Sequence, residues 1–399
     1  MVVVMRNNNV PALRLEGFSG EWERVSVDEV ATRHDNERIP VTQKDRIPGP
    51  TPYYGANGIQ DYVRGFTHEG PLVLVAEDGA NDLSNYPVQY VTGYAWVNNH
   101  AHVLRCKPKT ADDYFLKVAL SHSDIKSLLV GGGRAKLNAA QLMQISFCKP
   151  TLEEQQVIGA IFTNLDSAIN QHTLKHKALQ QSKTALMQRM FPQEGQTVPE
   201  LRLEGFSGEW EVVKFGDFFR STQLGINDLG EAGQFGTPLL KMGNIQRGYF
   251  DLDVYERLPE SVSVSPEYLI YSDDFLINTR NTLELVGKGA TWTGRSGVFT
   301  FNGNIARLEL VGVDRRFFNY LYNLPSTIAD VHKRATGTTS VAAIYPKTLE
   351  SIEFLLPTFE EQQAISAVFT QLDTLIAAEA QYIVSLKQAK TALLQRMFI

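Results

Sequence analysis

From Thr151 to Phe191 apolar residues recur alternately four and three positions apart, and the same rhythm returns from Thr358 to Phe398. The first seam is Ile158, Phe162, Leu165, Ile169, His172, His176, Leu179, Lys183, Leu186 and Met190. The second is Ile365, Phe369, Leu372, Ile376, Glu379, Ile383, Leu386, Lys390, Leu393 and Met397. A mean spacing of about 3.5 residues is that of a helix supercoiling against a partner. Thr151 with Glu154, and Thr358 with Glu361, predict a capping box at each helix start. Acidic residues there, and Lys183 with Arg189 or Lys390 with Arg396 toward the end, complement the helix dipole. Lys183 and Lys390 break the two seams at the same level, as register devices do. The simplest partner for one helix is the other, free to return antiparallel through the domain between them. Packing of each helix on its own domain is the alternative.

The two stretches are copies. Residues 150–191 match 357–398 without a gap, with 23 of 42 positions identical. A second repeat, L-R-L-E-G-F-S-G-E-W-E, runs from Leu13 to Glu23 and unchanged from Leu201 to Glu211. The offsets are 207 and 188, so the segments between the shared ends differ in length as well as in sequence. A fixed frame carrying two independent inserts is the reading. Apolar runs at Pro71–Ala76, His102–Arg105, Tyr268–Tyr271, Asp274–Asn278 and Ile305–Val311 predict strands, and Tyr114–Leu129 and Arg316–Leu324 predict short helices. The expected fold class is α/β in the broad sense (α+β): two globular domains, and two long helices forming an antiparallel coiled coil with pseudo-two-fold symmetry. The expected divisions are a globular domain at 1–149, a long helix at 150–192, a linker with the repeated frame segment at 193–210, a second globular domain at 211–356, and a second long helix at 357–399.

Composition changes little. Hydrophobic residues make up 43% of the 399, enough for packed cores, and the only cysteines are Cys106 and Cys148, without metal-ligand spacing. No stretch looks like a signal peptide or a membrane span, so a cytoplasmic protein with no membrane contact is expected. Charge alters the picture more. The net charge is −6, and by count the first insert (23–149) is neutral and the second (211–356) is −3. That is a weak electrostatic footprint for nucleic acid. If the chain holds DNA, local clusters and a basic partner must supply the phosphate contacts.

Several loops do carry the Asn, Arg, Lys and hydroxyl groups that bases and phosphates require. In the first insert these are Tyr53, Tyr54 and Asn57; Asn98 and Asn99; and Arg134, Lys136 and Asn138. In the second they are Lys241, Asn244 and Arg247; Arg280 and Asn281; and Lys333, Arg334, Thr338, Thr339 and Ser340. Taken singly each is weak: an Asn-Gly pair is more often a turn, Tyr53-Tyr54 more often core or turn packing, and only the paired placement of the last Arg/Lys/Thr loops argues further. No methyltransferase, nuclease, Walker, H-E-x-x-H or nucleophile-elbow motif is present. Asp112-Asp113 and Asp273-Asp274 read as solvated turns. No catalytic or metal-binding residues are expected.

The chain resembles the specificity subunit of type I restriction–modification enzymes over nearly its whole length. The resemblance rests on the doubled P-T-x-E-E-Q-Q-x-I…F…L-D-x-x-I helix at 150–169 and 357–376, and on Leu13-Arg-Leu-Glu-Gly-Phe18 with its second copy. Pro52-Tyr-Tyr-Gly-Ala-Asn-Gly58, and Gly337-Thr-Thr-Ser340 ahead of Leu349–Pro357, add to it. It implies two target-recognition domains, each reading half of a bipartite site in double-stranded DNA, with a coiled coil whose length fixes the gap. It implies two modification (methyltransferase) subunits carrying S-adenosylmethionine and adenine-N6 methylation, and two restriction (motor and nuclease) subunits using ATP and Mg. No cofactor would belong to this chain. Gly131-Gly-Gly-Arg134 departs from the family's usual Gly-Thr-Thr exit, and His172 and His176 correspond to Glu379 and Ile383 in the second copy, so the two helices are not strictly interchangeable. A scaffold binding protein or RNA, and a stand-alone nuclease, are the other classes; divergent inserts argue against the first and the missing motifs against the second.

Overall fold

The computed structural model describes residues 9–131, 135–233 and 235–398. Two compact units divide the chain: one holds the residues up to Leu174 together with those from Glu379 onward, the other runs Lys175–Ala378. Both divisions fall inside the long helices, Leu152–Met190 and Phe359–Met397. Each unit therefore contains one insert, the first part of one long helix and the last part of the other.

In the first unit the insert is closed by its own ends, Glu23–Ser26 pairing antiparallel with Ser146–Lys149. One four-stranded sheet has the order Ala31–Arg33, Ala101–Cys106, Leu72–Ala76, Val88–Val91, all antiparallel. A second runs Gly58–Val63, Pro48–Gly55, Tyr94–Val97, His68–Glu69, with a parallel pair at its centre. Leu72–Ala76 is apolar at every position because both of its faces are covered. The helix Asp113–His122 packs on the first sheet, capped by the Asp112 carboxylate on Phe115 N. It stops earlier than the sequence suggests: Asp124 draws the chain into a turn that ends in the 3-10 segment Lys126–Leu128.

The second unit repeats this plan with different residues. Glu211–Lys214 pairs with Glu353–Leu356, and a four-stranded sheet runs Phe219–Leu224, Ile305–Leu310, Phe275–Asn278, Gly289–Thr291. Helix Arg315–Tyr322, capped by Asp314, takes the place of Asp113–His122. The expected strand at 268–271 is instead a 3-10 turn, Pro266–Tyr268, followed by a single bridge from Leu269 to Thr300; the proline at its start favours that turn.

Within each unit the two helix segments run antiparallel. Lys390 meets Asp166 and Glu379 meets His172 in the first; Lys183 meets Asp373 and Phe191 meets Phe369 in the second. Every seam position of both helices is at least partly buried. The helix ends enter the insert cores: Phe398 packs on Trp22, Phe115 and Phe162, as Phe191 packs on Trp210, Phe317 and Phe369. The frame segments lock these ends through main-chain bonds, Leu13 N to Arg396 O and Leu201 N to Arg189 O, each 2.8 Å.

The capping boxes form only by half. Thr151 and Thr358 accept from the amides of Glu154 and Glu361 at 3.4 Å, but the glutamates do not reach back. Arg14 takes Glu154 in a two-pronged pair at 2.9 and 2.6 Å, and Arg202 takes Glu361 at 2.8 and 2.7 Å. Both carboxylates are 1% exposed. A charge-assisted, bidentate arginine contact outcompetes a single amide for them.

Candidate nucleic-acid interface

In the first insert three candidate loops meet at the turn after strand Leu72–Ala76. Asn57, in the hairpin turn ahead of Gly58, donates from Nδ2 to Gly79 O and accepts at Oδ1 from Asn81 N, both at 2.9 Å. Lys136 pairs its main chain with Asp78 and sets its Nζ 2.7 Å from Glu77. His100 Nδ1 lies 2.5 Å from Asp78 Oδ1. Asn99 and Asn138 are exposed at this edge, and Asn138 precedes helix Ala139–Gln144 without using its side chain as a cap. Arg134 lies outside the described residues.

Two expectations in this insert are corrected by burial. Tyr53 is 1% exposed, its hydroxyl joined to the main chain of Val41 and its ring capped by Arg46 at 4.1 Å. It packs the sheet and offers no surface to a base. Asn98 is 4% exposed, its Oδ1 accepting from His100 N at 2.8 Å, and serves to shape the loop. Tyr54 is half-buried against the core around Leu72 and Val91, and burial pushes its phenol up.

The second insert also gathers its three loops. The strand pair Arg280–Asn281 with Ala342–Ala343 carries the 338–340 turn, and Leu283 N donates to Thr339 O at 3.1 Å. Arg280, Thr338, Thr339 and Ser340 are exposed there. Thr338 closes its own turn by accepting from Val341 N, and Asn281 Oδ1 accepts from Thr282 N. Arg247 donates from Nη2 to Glu284 O and to His332 Nε2, at 3.3 and 3.1 Å, while its buried Nη1 has no hydrogen-bond partner among the described residues. Burial pulls Arg247 below its usual range, and burial and then Arg247 pull Lys288 down in turn. Lys241 and Lys333 are paired with Glu256 and Asp330, and Arg334 is held by Ser351 and Asp330 O. Asn244 is corrected to a structural role: it is buried and its Nδ2 ties Asp251 O and Val254 O.

Sequence reasoning missed the residues that join these loops. Glu77, Asp78 and Gly79 organise the first cluster, and Lys288 and His332 frame Arg247 in the second. The abrupt acidic turn after five buried strand residues was the available sign for the first. Nothing local to His332, 85 residues from Arg247, marks the second.

Among the described residues the metal-capable cluster is Asp35, Glu77 and His102. Its donors are engaged: Glu77 with Arg38 and Lys136, Asp35 with Val103 N, and His102 with Asp35 Oδ2 at 2.6 Å and Leu137 O at 2.9 Å. Both ring nitrogens of His102 thus lie against oxygen atoms of the chain. Although burial acts to raise it, hydrogen bonds from His102 and Val103 hold the Asp35 carboxyl below its usual range. The paired aspartates also have structural work, as cap and main-chain acceptor for Asp112 and Asp113 and as ion-pair partners of Arg316 and Arg307 for Asp273 and Asp274. They are thus not free solvated turns. His122, Asp124 and Cys148 line one recess in the first unit, but no hydrogen bond joins them among the described residues, and Cys106 and Cys148 are buried free thiols.

The sequence profile described as the type I restriction modification DNA specificity domain matches this chain twice, over residues 19–180 and 207–388. A protein of Haemophilus influenzae named as a candidate type I restriction enzyme specificity subunit is 30% identical over 93% of this chain and 92% of its own. A Methanocaldococcus jannaschii type I specificity subunit is 22% identical over 98% and 96%. The crystal structure of a type I restriction–modification S subunit from M. genitalium shares the fold, with a TM-score of 0.70 at 15% identity over 98% of this chain and 99% of that one. Among the described residues no helix is long and apolar enough to cross a membrane.

Proposed function

The chain belongs to the family of type I restriction–modification DNA specificity subunits, and from that premise we propose that it reads a two-part DNA site as the non-catalytic subunit of such a complex. Each insert reads one half-site through its converged loops. The paired helices set the distance between the halves, and the repeated frame offers two equivalent places for modification subunits. In this reading S-adenosylmethionine belongs to the two modification subunits, and ATP and Mg to two restriction subunits.

The observation that carries the proposal is the duplicated frame around unlike inserts. Arg14–Glu154 and Arg202–Glu361, Trp22–Phe398 and Trp210–Phe191, Lys390–Asp166 and Lys183–Asp373 are the same contacts made twice. The residues they enclose differ. Holding a frame while varying two readers suits a two-part address, and a near-neutral reader needs partners to supply further phosphate contacts.

The test is to map N6-methyladenine across the source genome with and without this chain. A single two-part motif with a fixed gap should vanish when the chain is removed. Loss of no motif, or of an uninterrupted one, would overturn the reading.

A further inference from the structure

Asp166 and Asp373 sit at corresponding places in the two copies of the frame, and each is a meeting point of three elements. Asp166, on the first long helix, accepts from the Tyr114 hydroxyl at 2.5 Å and pairs with Lys117 at 3.0 Å, both from the insert helix Asp113–His122. Its other oxygen holds Lys390 of the returning helix. Asp373, on the second long helix, accepts from the Tyr320 hydroxyl at 2.8 Å, from the insert helix Arg315–Tyr322, and holds Lys183 of its own returning segment. Lys183 also lies over the Tyr320 ring, 5.3 Å from its centre, as Lys117 lies over Tyr114 at 5.2 Å.

The two tyrosines are not copies of each other. Asp112 and Asp314 cap the insert helices alike, and Gln155 and Gln362 bind their amides alike, so the helices correspond at an offset of 314 − 112 = 202. On that correspondence Tyr114 aligns with Arg316, and Tyr320 aligns with Val118. The hydroxyls come from successive turns of the insert helix, yet both reach the same frame carboxylate. The diverged inserts have kept the contact by different residues.

We propose that Asp166 and Asp373 are latches that fix how each recognition domain is set on its helix pair, and so are positioning residues for the distance between the two half-sites. This rests on the two-part reading above. Neither aspartate touches DNA in it; they act through the insert helix. Adjacent base pairs are about 3.4 Å apart along the duplex, so a reader must be held to within a few ångströms for one gap length to be preferred. A carboxylate bound by a tyrosine hydroxyl on one oxygen and by a lysine on the other holds direction as well as distance. Burial of the tyrosine hydroxyls pushes both phenols up, which keeps them protonated donors to the latch.

The experiment uses the full chain in its native complex, with Tyr114→Phe, Tyr320→Phe and Asp166→Asn compared by genome-wide adenine-methylation mapping. The bases of both half-sites should stay the same. Methylation at gaps one base pair shorter or longer, relative to the normal gap, should rise about tenfold, the factor that about 1.4 kcal/mol of lost restraint gives. Asp166→Asn leaves two lysines beside a neutral amide and can misfold; the phenylalanine variants keep the ring and the ion pairs and carry the test if it does. Folded phenylalanine variants that keep a single gap length, or that lose methylation equally at every gap, would overturn the latch. A wild-type complex that methylates no two-part motif would instead overturn the functional reading, and the latch with it.

Discussion

In the first insert Lys136 and Arg38 share the Glu77 carboxylate and His100 pairs with Asp78, whereas in the second Arg280 and Lys288 make no ion pair among the described residues. The loops converge in both cases, but the charges are arranged differently. The first cluster is neutralised internally and presents amides, Asn57, Asn99 and Asn138, at a stiffened edge. In the second, Arg280 is exposed beside the exposed Thr339 and Ser340, while Lys288 is half-buried and donates to Gln246 Oε1 at 2.7 Å. The two inserts thus present different side-chain chemistry on one frame. The frame differs less, since its Arg–Glu, Trp–Phe and Lys–Asp contacts recur in both copies.

The largest effects should therefore be equal in the two units. Arg14→Met and Arg202→Met each leave a carboxylate that is 1% exposed without its partner. Loss of one member of a buried pair costs about 3–5 kcal/mol. Urea unfolding followed by tryptophan fluorescence should show similar losses for both variants; a large loss for one and none for the other would break the equivalence of the frame.

Effects within the inserts should be unequal and smaller. Glu77→Gln leaves Arg38 and Lys136 facing a neutral amide and should destabilise the first unit by about 1–3 kcal/mol. In the second cluster Arg247 rests on the Glu284 carbonyl rather than its carboxylate, so Glu284→Gln should stay within about 0.5 kcal/mol. Matched thermal melts check the pair, and equal shifts would remove the contrast.

Binding in salt gives a smaller but cleaner contrast. Each phosphate contact contributes about 0.9 to the slope of log affinity against log salt on duplex DNA. Arg280→Ala should flatten that slope for the assembled complex, and Lys136→Ala should leave it unchanged. A flatter slope for Lys136→Ala would mean that Glu77 does not hold that lysine in the complex.

The smallest effect is in acid. Burial acts to raise the Asp166 carboxyl, but Lys117, Lys390 and Tyr114 outweigh it and hold it below its usual range. Its stabilisation is therefore complete above the unfolded carboxylate value of about 3.9 and fades as pH falls through the lower folded one. The gap in melting temperature between the protein and Asp166→Asn should be widest near neutrality and close below about pH 4. A gap that persists unchanged in acid would mean the asparagine is costly for another reason.

How much of this was legible in the chain depends on whether the cause was local. The seam from Ile158 to Met190 and its copy are periodic, so their burial follows from spacing alone. The inserts close where the repeats end, at Glu23 with Lys149 and Glu211 with Leu356. The capping boxes form only by half because Arg14, 140 residues from Glu154, takes its carboxylate, and no local pattern announces a remote competitor. Tyr53 looked like a reader because its neighbours do; only the 41–46 loop folding over it shows that it is core. The Glu77 hub and the Tyr114–Asp166 and Tyr320–Asp373 contacts join distant segments, which composition and periodicity do not encode.

The central claim is that the two inserts read separately on a common frame. Its most direct test is to replace residues 23–149 with the corresponding insert of a relative that methylates a different site, and to map methyladenine in cells carrying the chimera. One half of the motif should change while the other half and the gap between them stay as they were. A motif altered in both halves, or in neither, would contradict the account.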